Sequence, residues 1–258
     1  MLTPFTSRIF LSRSQRRLCR GATPVYVWHC LGAAPKGVGD PYLYTSAADF
    51  HGQLVELKSR GFESGTLTDA LKPGDRQQAV ITFDDGCRNV LRHGLAPLAE
   101  HGMKAIQFIV AGMIGRRNEW DRDIEGGGEA LMDAGEIRDW LAAGHEIGSH
   151  SLTHRNLANR TESEAREQIF ASKKLLEDTF QVPIRHFCYP HGRWTPCARD
   201  LVAEAGYETA CTTEFGIVSP GDLPHTLMRI FPLSAAGLAG KAWHRLVTRR
   251  VTKLLRGG

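Results

Sequence analysis

Short apolar runs alternate with helix-like segments along most of the chain, and this alternation constrains the fold more than any other feature. Seven runs have the length and composition of strands, at residues 24–28, 79–83, 105–111, 145–149, 185–189, 207–213 and 227–233. Strands separated by helices run parallel, because each helix carries the chain back across the sheet. The pattern therefore predicts an α/β fold with a parallel sheet, either open or closed into a barrel.

Helices between these runs are indicated by their own start and stop signals. Apolar residues at helical spacing occupy 49–60. Capping boxes at 133–136 and 161–164 predict the starts of two more helices. In such a sheet, functional side chains gather just past the carboxyl ends of the strands. Motifs at strand ends are therefore the first candidates for a site.

The charges of the chain are unevenly distributed. Residues 1–24 hold five arginines and no acid, and residues 241–258 hold six lysines and arginines and no acid. Since the whole chain has a net charge of +4, the part between these ends is acidic, with a net charge of −7. An acidic body argues against nucleic acid as a partner. Basic ends suit an anionic membrane face.

The sequence predicts three parts: a basic tail at 1–24, a central domain at 25–236 and a basic amphipathic helix at 237–258. That helix has an apolar stripe, which could lie in a membrane surface or pack on the domain. The apolar stretch at 9–11 is too short for a secretory signal and is followed by arginines. We therefore expect a cytoplasmic protein, peripheral at the inner membrane face. Its six cysteines form no CxxC pair and are expected to be free thiols.

Two adjacent carboxylates follow the second strand-like run. They belong to the segment 82–86, Thr-Phe-Asp-Asp-Gly. Asp84 and Asp85 repel each other in that position unless a positive group lies beside them. Asp-Asp-Gly is also a common turn sequence, so this segment alone could be either a catalytic site or an ordinary turn.

Two histidines follow the fourth run, in the segment 148–154. His150 and His154 are four residues apart, which on a helical turn places both imidazoles on one side and suits a shared metal ion. By themselves they could be a surface pair. Combined with a carboxylate from the first motif, they make the donor set of an open metal site.

A third motif follows the fifth run, at residues 187–192, Phe-Cys-Tyr-Pro-His-Gly. Pro190 and Gly192 predict a turn whose backbone N–H groups could point into a site and stabilise an oxyanion. The alternative is an ordinary turn at the end of a strand.

With the three motifs in this order, the sequence resembles the NodB-homology polysaccharide deacetylases, carbohydrate esterase family four. Their TFDDG motif matches 82–86 and their H-[ST]-x-x-H motif matches 150–154. The resemblance spans about 25–232 and includes the elements at 27–29 and 205–207 of the exopolysaccharide-deacetylase branch. It implies a distorted (β/α) barrel with about seven parallel strands.

The resemblance also implies roles for particular residues. Asp85, His150 and His154 would bind a divalent metal, in this family usually zinc, and Asp84 would be the general base. The backbone N–H of His191 would stabilise the oxyanion. The reaction implied is the metal-dependent hydrolysis of N-acetyl groups.

Two departures from the family pattern require other residues. Cys188 stands where related sequences have the arginine that pairs with the catalytic aspartate, and Arg229 is our candidate for that partner. The general acid is either His29, in the element at 27–29, or His225, and the strand-end position favours His29.

The function predicted is therefore an N-deacetylase for an N-acetylhexosamine-containing polysaccharide or glycolipid. A deformylase or amidase acting on a lipid-linked aminosugar is an alternative, and so is a catalytically silent glycan-binding relative. Trp28, Trp120 and Trp194 could stack on sugars, although packing in the core or anchoring a lid is the favoured role for any one of them.

Overall fold

The protein is described by a computed structural model that covers residues 21–232, apart from residues 37, 39, 75–76 and 122–127. The predicted helix at 237–258 and residues 1–20 of the predicted tail lie outside this part. At the other end of that tail, Thr23 pairs with Val218 in an antiparallel bridge. Among the described residues, no helix has the length and apolar character needed to cross a membrane.

The described strands are short, and half of them are buried at every residue. They are β1 (Val25–Trp28), β2 (Cys30–Leu31), β3 (Tyr44–Thr45), β4 (Glu63–Ser64), β5 (Gln78–Phe83), β6 (Ala105–Ile109), β7 (Glu146–Ser149), β8 (His186–Cys188), β9 (Thr209–Phe215) and β10 (Leu227–Arg229). The α-helices are α1 (Ala47–Ser59), α2 (Arg88–Glu100), α3 (Ala134–Ala142), α4 (Glu162–Phe180) and α5 (Pro196–Glu204).

The main sheet closes on itself. Its strands follow the order β1-β5-β6-β7-β8-β9-β10, and every neighbouring pair is parallel. Just past β10, Ile230 bridges to β1 through two backbone hydrogen bonds, from Val27 N–H to the Ile230 carbonyl (3.0 Å) and from Ile230 N–H to the Val25 carbonyl (2.8 Å). β4 pairs with the start of β5, and β2 and β3 form a separate small sheet. The prediction of a distorted barrel with about seven parallel strands is confirmed.

The local signals in the sequence correspond to the observed helices. Both predicted capping boxes are present, with Asp133 and Thr161 as the capping residues of α3 and α4. In each, the capping side chain and the glutamate three residues later satisfy free N–H groups of the first turn.

Aromatic side chains fill the space between the sheet and the helices. Trp28 meets Phe50 edge-on at 5.3 Å, and Phe50 meets Phe83 at 5.5 Å between ring centroids. The buried indole N–H of Trp28 donates to Gln53 (2.9 Å). Trp28 is therefore a core residue, and its interpretation as a sugar-stacking wall is wrong.

Candidate active site

Polar side chains from five different strand ends meet at one rim of the barrel. Because all strands of the barrel are parallel, their carboxyl ends lie on the same side. The rim carries the residues predicted from sequence: His29 after β1, Asp84 and Asp85 after β5, His150 and His154 after β7, His191 after β8, and Arg229 in β10.

Asp85, His150 and His154 form a buried cluster. Asp85 Oδ1 lies 3.3 Å from Nε2 of each histidine, and all three side chains are almost fully buried. The i,i+4 spacing suggested that the two histidines lie on a helical turn, but they do not. Ser151 and His154 have φ angles of 66° and 58°, and this left-handed turn brings the two rings together instead.

Hydrogen bonding fixes the tautomer of one of these rings. His150 Nδ1 lies 2.8 Å from the carbonyl oxygen of Cys188. Since a carbonyl only accepts, Nδ1 is the donor, and in the neutral ring Nε2 is left with a free lone pair directed at Asp85. A buried lone pair that faces a carboxylate at 3.3 Å is repulsive unless a positive charge lies between them.

The donor set fits a divalent cation. Asp85 Oδ1 has no hydrogen-bond partner among the described residues, although it lies close to both rings. The three donor atoms lie within 4.8 Å of one another. Ligands at about 2.0–2.1 Å from a tetrahedral zinc ion are separated by roughly 3.3 Å, which is the separation seen here between the carboxylate and each imidazole. The three atoms are thus spaced as the ligands of one ion would be.

Backbone strain is concentrated at this rim. Five non-glycine residues of the described part have positive φ, and four of them belong to the site: Asp85, Ser151, His154 and His191. Such conformations are costly and persist only where the surrounding structure enforces them. At Asp85 one restraint comes from buried Gln107, whose side-chain amide donates to the Asp84 carbonyl (3.2 Å). The backbone is therefore held in the shape that presents these side chains.

Asp84 lies beside His150 at the edge of the cluster and pairs with Arg229. Two parallel hydrogen bonds of 2.7 Å join the guanidinium to the carboxylate, and both side chains are buried. Burial alone raises the pKa of Asp84, but the charge and hydrogen bonds of Arg229 outweigh it and lower this pKa to about 2. Asp84 is therefore ionised at any physiological pH.

The structure also shows why a cysteine is tolerated at position 188. Its thiol lies 3.1 Å from Arg229 Nη2 and 3.5 Å from Asp84 Oδ2. The guanidinium, which enters from β10, occupies the space beside Asp84, so position 188 needs only a small side chain.

Of the two candidate general acids, only His29 lies at this rim. Its Nε2 is 3.8 Å from Asp84 Oδ2, and the side chain is 15% exposed. His225 donates from Nε2 to the carbonyl of Tyr207 (2.8 Å). Because Tyr207 precedes β9, this hydrogen bond lies at the opposite, amino-terminal end of the barrel.

The turn after β8 presents its backbone to the site. Gly192 N–H donates to the Tyr189 carbonyl (2.8 Å), and the His191 ring lies 4.7 Å from that of His154. A Cβ atom at Gly192 would lie 2.0 Å from the Thr213 hydroxyl, so only glycine fits there. The His191 side chain is thereby held beside the cluster.

The sequence did not indicate which side chain contacts the ring of His154. Trp120 stacks on its ring, with centroids 4.0 Å apart and planes at 28°. The only signal in the sequence is a tryptophan inside the polar segment 116–128. Trp194 instead lies near the surface and donates to Glu214 (3.3 Å).

A closed parallel barrel with polar side chains at the carboxyl ends of its strands is the architecture of a barrel enzyme. More particularly, a sequence model of the polysaccharide deacetylase family matches residues 72–210, which is more than half of the chain. The chain belongs to this family.

Individual relatives and solved structures agree with that assignment. The Bacillus subtilis protein YxkH, whose name places it provisionally among the polysaccharide deacetylases, is 23% identical over 85% of this chain and 74% of its own length. A Staphylococcus aureus poly-beta-1,6-N-acetyl-D-glucosamine N-deacetylase is 24% identical over 72% of this chain and 66% of its own. Two solved structures share the fold: the deacetylase PplD of Streptococcus pyogenes (TM-score 0.71, 18% identity, 86% of this chain and 97% of that one) and IcaB of Ammonifex degensii (TM-score 0.72, 21% identity, 86% and 96%).

Proposed function

We propose that the protein is a divalent-metal-dependent N-deacetylase that removes acetyl groups from N-acetylhexosamine units of a polysaccharide or glycolipid. One observation carries the proposal: a buried carboxylate and two buried imidazoles surround one point, next to a second, ionised carboxylate. The names of two relatives support the substrate class. One acts on poly-beta-1,6-N-acetyl-D-glucosamine, and a Bradyrhizobium relative, 25% identical over 50% of this chain and 53% of its own length, is a chitooligosaccharide deacetylase.

Asp85, His150 and His154 would hold the metal, with zinc as the expected ion. A divalent ion at this point would polarise the acyl carbonyl and acidify water. The Nδ1–H bond of His150 to the Cys188 carbonyl keeps that ring oriented with its lone pair towards the site.

The remaining residues transfer protons and stabilise the charge that develops during the reaction. Asp84, kept ionised by Arg229, accepts the proton of the water that attacks the acetyl carbon. The His191 N–H donates to the developing oxyanion. His29, protonated, then donates to the amide nitrogen as the C–N bond breaks, which releases acetate and a free amine. Trp120 forms a wall beside His154 on which a sugar ring can stack.

The basic ends suggest where the enzyme works. We propose that it lies at the inner face of a membrane without spanning it, because the two ends together carry eleven positive charges and no acid. A lipid-linked sugar at that surface is then one accessible form of the substrate.

The test is amine release from a panel of N-acetylated and N-formylated oligosaccharides and lipid-linked sugars, with and without a chelator. We expect release from the N-acetylated members, loss of activity after chelation and recovery on addition of zinc. His225→Ala is the matched control, since it removes an imidazole outside the site. Release from N-formyl substrates alone would support a deformylase, and no release from any member would support a silent glycan-binding protein.

A further inference from the structure

Two cysteines lie side by side next to the candidate site and take no part in its proposed chemistry. Cys30, in β2, directly follows His29, and Cys87 comes two residues after Asp85. Their sulfur atoms are 2.8 Å apart, and both side chains are buried, with 4% and 0% exposure. The pair therefore joins the segment that carries the candidate acid to the turn that carries a candidate metal ligand.

The two segments are already fixed against each other by other bonds. Leu31 N–H donates to the Asn89 side chain (3.1 Å), so β2 is held against the start of α2. Arg88 N–H donates to the Ala130 carbonyl (2.8 Å), which fixes the other side of Cys87. A disulfide needs sulfur atoms about 2.0 Å apart. The sulfur atoms would therefore have to approach by less than an ångström.

We propose that Cys30 and Cys87 are a modification site that forms a disulfide on exposure to a small peroxide. Cys30 reacts first, because it is the less completely buried of the two. Its sulfur attacks one peroxide oxygen, the O–O bond breaks, and Cys30 becomes a sulfenic acid with release of one water. The Cys87 sulfur then attacks the Cys30 sulfur and displaces the second water. Two thiols are oxidised by two electrons, and one hydrogen peroxide is reduced to two waters.

The bond closes a loop of more than fifty residues between positions 30 and 87. Cross-links across loops of this size stabilise a protein mainly by restricting its unfolded chain. We expect the melting temperature of the oxidised protein to be about 5–10 °C above that of the reduced protein. This expectation does not depend on whether the protein is a deacetylase.

The experiment treats the full chain with hydrogen peroxide, alkylates the remaining thiols and maps the peptides by mass spectrometry. We expect a peptide pair joined through Cys30 and Cys87, lighter than the two free peptides by two hydrogen atoms, and reversal by dithiothreitol together with the gain in melting temperature. Cys30→Ser removes the cross-link, whereas Cys197→Ser, at an exposed cysteine, keeps it.

Three results would overturn the proposal. The first is full alkylation of both cysteines after peroxide treatment, and the second is a sulfinic acid on Cys30 without a cross-link. The third is a cross-linked protein with an unchanged melting temperature, which would contradict the expected stabilisation. If Cys30→Ser fails to fold, Cys87→Ser replaces it as the variant that should lack the cross-link.

Discussion

Replacing Arg229 by methionine tests the most deeply buried charge pair among the residues that the structure describes. Arg229 is 0% and Asp84 2% exposed, and the methionine would leave Asp84 as an unpaired carboxylate in the interior. Breaking a buried pair in this way costs about 3–5 kcal/mol. Asp84→Asn leaves the guanidinium unpaired and is expected to cost a similar amount.

The double variant Arg229→Met/Asp84→Asn separates the charge pair from other losses. The hydrogen bond from Arg229 Nε to the Thr212 carbonyl (2.8 Å) disappears in both variants that lack the arginine, so it cancels in a double-mutant cycle. Because no unpaired charge remains, the double variant should be more stable than the sum of the single changes predicts. We expect a coupling free energy of about 2–4 kcal/mol.

Urea unfolding at neutral pH, followed by tryptophan fluorescence, measures these free energies, and an unchanged m-value would show that the folded and unfolded states are comparable. Arg166 and Glu204 are the control pair, since they form the same two-pronged contact at the surface. Solvent screens that pair, so its coupling should be far smaller. A coupling for Asp84 and Arg229 no larger than that of the control would refute the view that this buried pair is what keeps Asp84 ionised.

Three further predictions concern the chemistry and the location of the protein. Asp84→Asn should keep its metal and lose about 10²–10⁴-fold in turnover, measured as amine release, because Asp84 is a base rather than a ligand; activity within threefold of wild type would remove it from the mechanism. His29→Ala should lower turnover far more than His225→Ala, and the opposite ranking would show that the acid is His225. Sedimentation with anionic liposomes should be salt-sensitive and weaker for a chain ending at Gly240 than for the full chain, whereas equal binding of both would contradict a membrane role for the C-terminal segment.

The parts of the fold that sequence could predict are those with strong local signals. Buried strands appear as apolar runs, and α3 and α4 begin at capping boxes whose hydrogen bonds are local. Helix α2 gave no comparable signal, because it contains Gly94 and Pro97, both of which usually interrupt helices. In the fold Gly94 lies against Leu31, where an added Cβ would come within 3.3 Å of that side chain. The glycine reflects a tertiary contact that no local pattern reveals.

In the candidate site, too, local motifs could be predicted from the sequence and tertiary contacts could not. The motifs identified which residues follow strand ends, and Arg229 was predicted beside Asp84, where the structure places it. The spacing of His150 and His154 suggested a helical turn, but the chain uses positive φ angles at Ser151 and His154. Contacts between distant segments, such as Trp120 on His154 and Cys30 beside Cys87, depend on the closed barrel and have no periodic signal.

The metal content of the purified protein tests the central claim most directly. We expect one zinc equivalent per chain in the wild type and in His225→Ala after mild dialysis, and none in His150→Ala. His51, Glu100 and His101 form a separate, surface group of potential ligands, so the same three measurements are repeated in a His51→Ala background, with the same result expected. Equal metal content in all three, or no metal in the wild type after incubation with zinc, would contradict the assignment of Asp85, His150 and His154 as the metal site.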